Sequence, residues 1–237
     1  MAVIIKTPEE LAIMREAGRI TAMALQAMRE AVRPGVSTKE LDAIAAEVLR
    51  RHNAKPAFLG YPPGSPFPFP ATVTTSINDE LVHGIPSEDR ILQEGDIISL
   101  DCGAIYKGYV GDAAFTMGVG KISEEAQRLL EVTEAALYHG IDLARAGVET
   151  RDVSRGIQAF VEERGYSVVR EYTGHGVGRS MHEDPQVPNW WRSPRERGGA
   201  LWGPVAGAGG GGGGLGGGAW ALLVGPGWVV FFLGAGG

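Results

Sequence analysis

Apolar residues recur at helical spacing from the start of the chain. Leu11, Met14, Ala17, Ile20, Ala24, Leu25 and Met28 fall on one face of a helix. Thr7-Pro8-Glu9-Glu10 supplies its start: a capping hydroxyl, a proline in the first turn and two acids at the positive end of the helix dipole. Arg33-Pro34-Gly35 stops it. Ser37-Thr38-Lys39-Glu40 reads as a capping box, and Leu41, Ile44, Ala45, Val48 and Leu49 form the next apolar stripe. The pattern then changes period. Residues 71–77 are rich in β-branched side chains and read as a strand. Ile97–Asp101 and Tyr109–Val119 flank Lys107-Gly108 and read as a hairpin. Helices are expected again from Ser123 and from Thr150, the second with Val153, Ile157, Phe160 and Val161 inside, and Ser167–Tyr172 reads as a strand.

Shifting the chain by 112 residues superposes two of these blocks. Thr21, Ala24 and Leu25 meet Thr133, Ala136 and Leu137. Arg33, Gly35, Val36 and Thr38 meet Arg145, Gly147, Val148 and Thr150. The ungapped register and the shared linker point to a duplicated helix–helix–strand half, with pseudo-two-fold symmetry rather than a solenoid. A site between such halves draws ligands from both.

Composition divides the chain differently. Apolar residues are 44% and charged residues 21% of 237, which is ordinary for a globular protein. A net charge of −6 argues against nucleic acid or an anionic membrane as a partner. The one cysteine, Cys102, excludes an internal disulfide framework and fits a reducing compartment. The N-terminal stretch lacks the basic-then-apolar layout of a secretory signal. Of 36 glycines, 18 lie in residues 198–237, and no charged residue follows Arg197. Residues 1–189 and 190–237 are therefore two regimes. Poly-glycine cannot bury enough apolar surface to offset its backbone entropy, so 198–219 is expected to be unstructured. Ala219–Leu233 is apolar but short for a membrane span and is broken by Gly225-Pro226-Gly227. Trp228–Leu233 reads instead as an aggregation-prone segment. The tail's residues are mostly those of G/C-rich codons, as a frame shifted near 190–192 would produce.

The chemistry lies in the first regime. With Lys107-Gly108 as a two-residue turn, 103 pairs with 112, and 101 shares the face of 103. Asp101 and Asp112 are then diagonal neighbours, roughly 7–8 Å apart at Cα. Two carboxylates that close repel unless a proton or cation lies between them. Gly174-His175-Gly176-Val177-Gly178-Arg179-Ser180-Met181-His182-Glu183 is too glycine-rich for a stable helix and permits close backbone approach to a ligand. Two histidines there, added to two aspartates, point to oxygen and imidazole ligation of a divalent transition metal. A third histidine, His83, lies in a turn-flanked loop. His52 and His139 fall in helices and read as structural. Cys102 faces away from Asp101 and reads as core.

Three segments carry a resemblance: SINDELVHGIP at 76–86, GDIISLDCGAIYKGYVGDAAFTMGVG at 95–120, and EYTGHGVGRSMHEDPQVPN at 171–189. Over residues 1–189, about four-fifths of its length, the chain resembles the type I methionine aminopeptidases of bacterial kind. The resemblance implies an α+β pita-bread fold, two pseudo-symmetric α/β halves around an antiparallel sheet, with the second half incomplete here. It implies a cytoplasmic, monomeric enzyme that removes the N-terminal methionine of nascent polypeptides at the ribosome, preferring a small uncharged second residue. It uses two divalent ions (Co, Mn, Fe, Zn or Ni). In this family pattern Asp101 chelates one ion, Asp112 bridges both and His175 binds the second. His182 hydrogen-bonds the tetrahedral centre, and His83 contacts the substrate amide. Phe58, Tyr61 and Met181 match the methionine pocket, and the insertion-like PPGSPFPFP at 62–70 leaves its rim open. The family's remaining ligands are two glutamates in the final third, one of them the proton shuttle. At the spacing expected after His175 this chain reads Ala208-Gly209-Gly210, and no Asp or Glu follows Glu196. The resemblance thus implies an enzyme impaired as written. A non-catalytic pita-bread binding protein and a proline-specific peptidase of the same fold are the rival readings.

Overall fold

The computed structural model describes residues 3–191 and the backbone of Leu233–Gly234. Helix α1 (Pro8–Ala31) begins at a reciprocal capping box: the Thr7 side chain accepts from the Glu10 amide, and the Glu10 carboxylate accepts from the Thr7 amide at 2.9 Å. Its buried face is Met14, Ala17, Gly18, Ile20, Thr21, Ala24, Leu25 and Met28: the stripe that the spacing predicts, with Gly18 and Thr21 added and Leu11 only half-buried in the first turn. Helix α2 (Thr38–Arg51) repeats the device with Ser37 and Glu40. Asp42 on its buried face accepts from the amides of Thr72 and Val73, at 2.8 and 3.2 Å, and pairs with Lys39. Periodicity does not single out this residue, yet it anchors the entry to the next strand but one.

The main sheet holds β1 (Lys55–Pro56), β2 (Val73–Ile77), β3 (Ile97–Tyr106) and β4 (Tyr109–Gly118), all antiparallel. β4 runs along one whole edge of β3, while β2 and β1 share the other edge end to end. Lys107 and Gly108 both have positive φ, 48° and 82°, the two-residue turn whose twist suits a hairpin. Tyr106 therefore pairs with Tyr109 and Gly103 with Asp112, the register expected from the turn.

Alternation along β3 separates core from site. Ile98, Leu100, Cys102 and Ala104 are buried with α1 and α2 in one apolar cluster that also holds Leu41, Leu49 and Phe115. Burial pushes the Cys102 thiol well up, as a core residue requires. Asp101 and Gly103 take the opposite face, and pairing puts Asp112 beside Gly103. Backbone contact sets how closely α1 seats on the sheet. Thr21 Oγ1 donates to the Gly111 carbonyl at 3.1 Å, and a Cβ at Gly111 would lie 2.5 Å from the Gly18 amide nitrogen. Gly111→Ala must push backbone against backbone, so we expect a loss of about 2–3 kcal/mol, read as a lowered urea midpoint at unchanged m-value.

The second half repeats the first locally. Helix α3 (Glu124–Leu143) is capped by Ser123, and α4 (Thr150–Glu162) follows the same Arg-x-Gly-Val linker. Gly35 and Gly147 both take left-handed φ, 91° and 88°. Val36 N–H donates to Arg33 O, and Val148 N–H to Arg145 O. Ala136, Val153, Ile157, Val161 and Val168 form this half's own core. His139 stacks on Phe160 there and is structural. Strand structure is shorter than expected. β5 covers only Ser167–Val168, pairing with β8 (Leu233–Gly234), because the backbone at 170 bonds elsewhere: its amide to the Glu171 carboxylate, its carbonyl to the Trp190 indole. β6 (Gly174–Gly176) and β7 (Glu183–Val187) form a bulged pair. The arrangement is α+β with an antiparallel sheet under helices. The expectations for 198–219, for Ala219–Leu233 as a membrane segment and for Trp228–Leu233 as an aggregation segment lie outside the described residues, save for the Leu233 backbone. No helix among the described residues is long and apolar enough to cross a membrane.

Candidate metal centre and its surroundings

Asp101 and Asp112 reach the same face of the hairpin from adjacent strands. Burial is the first cause that holds the Asp101 carboxyl well above the usual carboxylate range, and the charge of Asp112 is the second. Burial likewise pushes Asp112 up to about 6, against the opposing pull of His175. Asp112 Oδ1 is buried without a hydrogen-bond partner. A buried, unpartnered carboxylate oxygen is costly unless something absent from the chain satisfies it.

β6 brings the imidazole. His175 Nε2 lies 3.7 Å from Asp112 Oδ2, both side chains about four-fifths buried. His175 Nδ1 is 3.0 Å from the Gly176 carbonyl. A carbonyl only accepts, so Nδ1 carries a hydrogen, and Nε2 is the nitrogen turned toward the aspartates. That is the second-sphere arrangement metal-ligating histidines use. Among the described residues no three His, Cys, Asp or Glu side chains stand as a group that could hold a metal ion. The donors present still fit a borderline divalent ion: carboxylate oxygens, a correctly tautomerised imidazole and an orphaned Oδ1.

The other predicted residues sit around this pair. The rings of His182 and His175 are 4.3 Å apart between centroids. The Tyr61 hydroxyl lies 2.7 Å from His182 Nδ1. Burial, then the charges of His175 and His83, hold the His182 imidazole below its ordinary value. His83 has a positive φ of 60° and meets Tyr172 edge-on at 6.1 Å. Its loop is pinned to β2 by Thr75 N–H to Gly84 O at 2.8 Å. A Cβ at Gly84 would lie 2.2 Å from the Thr75 carbonyl oxygen, so only glycine fits. Phe58 and Met181 pack in one apolar cluster with Tyr109, Val110 and Val177, beside Gly103. Tyr61 stands apart from that cluster, on His182. An open cleft of about 310 Å³ runs along His175 and His182 and is walled by Tyr172, Glu183 and Gln186. Phe58 and Met181 do not line it.

Tyr172, Lys6 and Glu183 were not predicted for this site. Lys6 Nζ and Glu183 Oε2 are 2.6 Å apart, with side chains only 5% and 6% exposed. No sequence signal marks this pair: each residue stands alone, and the two are 177 positions apart.

The family model for metallopeptidase family M24 matches residues 12–201. Methionine aminopeptidase of Clostridium acetobutylicum is 50% identical over 193 residues, covering 81% of this chain and 75% of that protein. Methionine aminopeptidase 1 of Bacillus subtilis is 50% identical over 188 residues, covering 79% and 73%. Among solved structures, methionine aminopeptidase from Thermotoga maritima superposes with a TM-score of 0.78 at 38% identity, covering 86% of this chain and 78% of that one. The fold is the pita-bread fold of these neighbours, and the protein is an aminopeptidase of the metal-dependent kind. With its hairpin aspartates and glycine-bracketed histidine in place, the chain belongs to metallopeptidase family M24, among the methionine aminopeptidases.

Proposed function

We propose that the protein is built for removal of N-terminal methionine from nascent polypeptides in the cytoplasm, with preference for a small uncharged second residue. The observation that carries this reading is the pair of buried hairpin carboxylates, one with an orphaned oxygen, facing an imidazole whose Nε2 is left free by the Gly176 carbonyl. Asp101, Asp112 and His175 would hold the metal, two divalent ions in the full site. Bound there, the ions supply Lewis-acid polarisation of the scissile carbonyl and activation of water.

The chain's own residues do the rest. The hairpin keeps both carboxylates in place before any ligand arrives, so little reorganisation is needed. Burial favours the uncharged form of His182. In this reading the Tyr61 hydroxyl, 2.7 Å away, donates to its Nδ1, which leaves the hydrogen on Nε2 to donate to the oxygen that gains charge at the tetrahedral centre. His83, exposed in the loop that follows β2, would contact the substrate amide as the new amine leaves. Phe58 and Met181 would offer the thioether side chain an apolar wall, while Tyr61, apart from them, meets His182.

The chain as written is impaired in this reading. No acid stands near 208–210, where a further ligand and proton shuttle belongs. Residues 1–189 then form the catalytic unit and 190–237 an aberrant, frame-shifted tail. Sequencing of the coding DNA from codon 185 onward tests this. A single-base correction that restores two glutamates should yield a protein that releases methionine from Met-Ala-Ser and leaves Ala-Pro intact. A corrected protein that cleaves Ala-Pro and spares Met-Ala-Ser overturns the reading. A binding-only role is less well supported, because both aspartates and His175 are kept.

A further inference from the structure

Lys6 and Glu183 form a nearly solvent-free ion pair outside the set of metal and substrate residues. Buried pairs of this kind add little net stability over apolar residues of like volume, because desolvation offsets the Coulomb gain. Stability alone therefore does not account for the pair, and the surroundings of the Glu183 carboxylate supply another reason. Its Oε2 takes the Lys6 ammonium at 2.6 Å, and its Oε1 accepts from the Ser180 amide at 3.1 Å. The Arg179 backbone amide donates to it as well. The carboxylate thus occupies the inside of the turn that joins His175 to His182. A Cβ at Gly178 would lie 2.5 Å from both its oxygens, so Gly178 leaves room for the acid.

The turn is fixed at two further points. The Val110 amide, two residues before Asp112, donates to the Gly178 carbonyl at 2.8 Å. Lys6 is itself held by the Ile4 carbonyl at 3.0 Å, which ties the segment leading into α1 to the same carboxylate. His182 directly precedes Glu183, so anchoring Glu183 limits where its imidazole can swing.

We infer that Glu183, with Lys6 as its counter-ion, is a positioning residue: it acts through the 178–182 turn to hold His182 against Tyr61 and His175. This rests on the role proposed for His182, but the geometry it asserts does not need that role to be right. The buried ion pair ties the segment before α1 to the histidine turn, next to the more exposed Arg179–Glu10 pair at 3.4 Å, and it puts an acid where the turn's own amides converge.

The test uses the full metal-free chain at a fixed pH of 8, with long-range proton–nitrogen spectra of the His182 ring. In the wild type, one tautomer is expected, fixed by Tyr61, and Tyr61→Phe supplies the reference for its loss. Glu183→Gln is expected to give averaged ring-nitrogen signals. Lys6→Met/Glu183→Met separates positioning from stability. Replacing both partners should return the melting temperature to within a few degrees of wild type, while the His182 signals stay averaged. Lys6→Arg keeps the charge and should keep the single tautomer. A single wild-type tautomer in the double variant overturns the inference, as do averaged signals in a folded Lys6→Arg. Because no substrate or metal is present, failure here is distinguishable from failure of the aminopeptidase reading, which only turnover decides.

Discussion

Asp112→Asn is expected to weaken divalent-metal binding by about 100-fold or more and to make the metal-free protein more stable. The loss follows from removing a charged donor from a site that holds few. The gain follows from linkage. Asp112 titrates at about 6 in the fold against 3.8 for an unperturbed aspartate. A carboxyl raised by folding binds its proton more tightly in the native state, so its stabilising contribution is complete below pH 3.8 and is lost as pH rises through about 6. Asp101 shifts the same way. The metal-free wild type should therefore lose roughly 2–3 kcal/mol between pH 4 and 7 from Asp112. The asparagine variant should lack most of that fall and unfold at higher urea than the wild type at pH 7.5. Equal midpoints across pH 4–8 in both proteins would show that the two carboxylates are not under this strain.

The second large effect concerns turnover. This chain should release methionine from Met-Ala-Ser at least about 10²–10⁴-fold more slowly than the Clostridium acetobutylicum relative assayed beside it with the same metal. That range is what a positioned proton-transfer group contributes, and the region around Ala208-Gly209-Gly210 has no acid to serve as one. Weak metal retention lowers the rate further. A rate within tenfold of the relative's would mean that an acid from the described residues, such as Glu171 at the wall of the cleft, takes that place.

Much of this was legible in the sequence because it is local. The capping hydroxyl of Thr7, the capping box at Ser37 and the apolar spacing behind them set α1 and α2. The Lys107-Gly108 turn fixes the hairpin register, and the register alone puts Asp101 and Asp112 on one face. Glycines on both sides of His175 mark close backbone approach, which here is made by the β7 carbonyls of Val187 and Asp184. What stayed hidden depends on distant residues meeting. Ser167–Tyr172 has the composition of a strand, but the Glu171 carboxylate and the Trp190 indole take the backbone bonds of residue 170. Asp42 looks like a solvated helix acid and instead caps the amides of Thr72 and Val73. The Lys6–Glu183 pair has no local pattern at all. Tyr61 was expected as a pocket wall, and the structure puts its hydroxyl on His182, a contact that only folding creates.

The central claim is that the chain keeps the aspartate–histidine part of a two-ion site without the acids that complete it. Calorimetric titration of the full metal-free chain with Co(II) at pH 7.5 addresses it most directly. The expected result is one ion per chain, removed by simple dialysis and lost on Asp112→Asn. Two tightly held ions per chain, or one ion unaffected by that substitution, would contradict it.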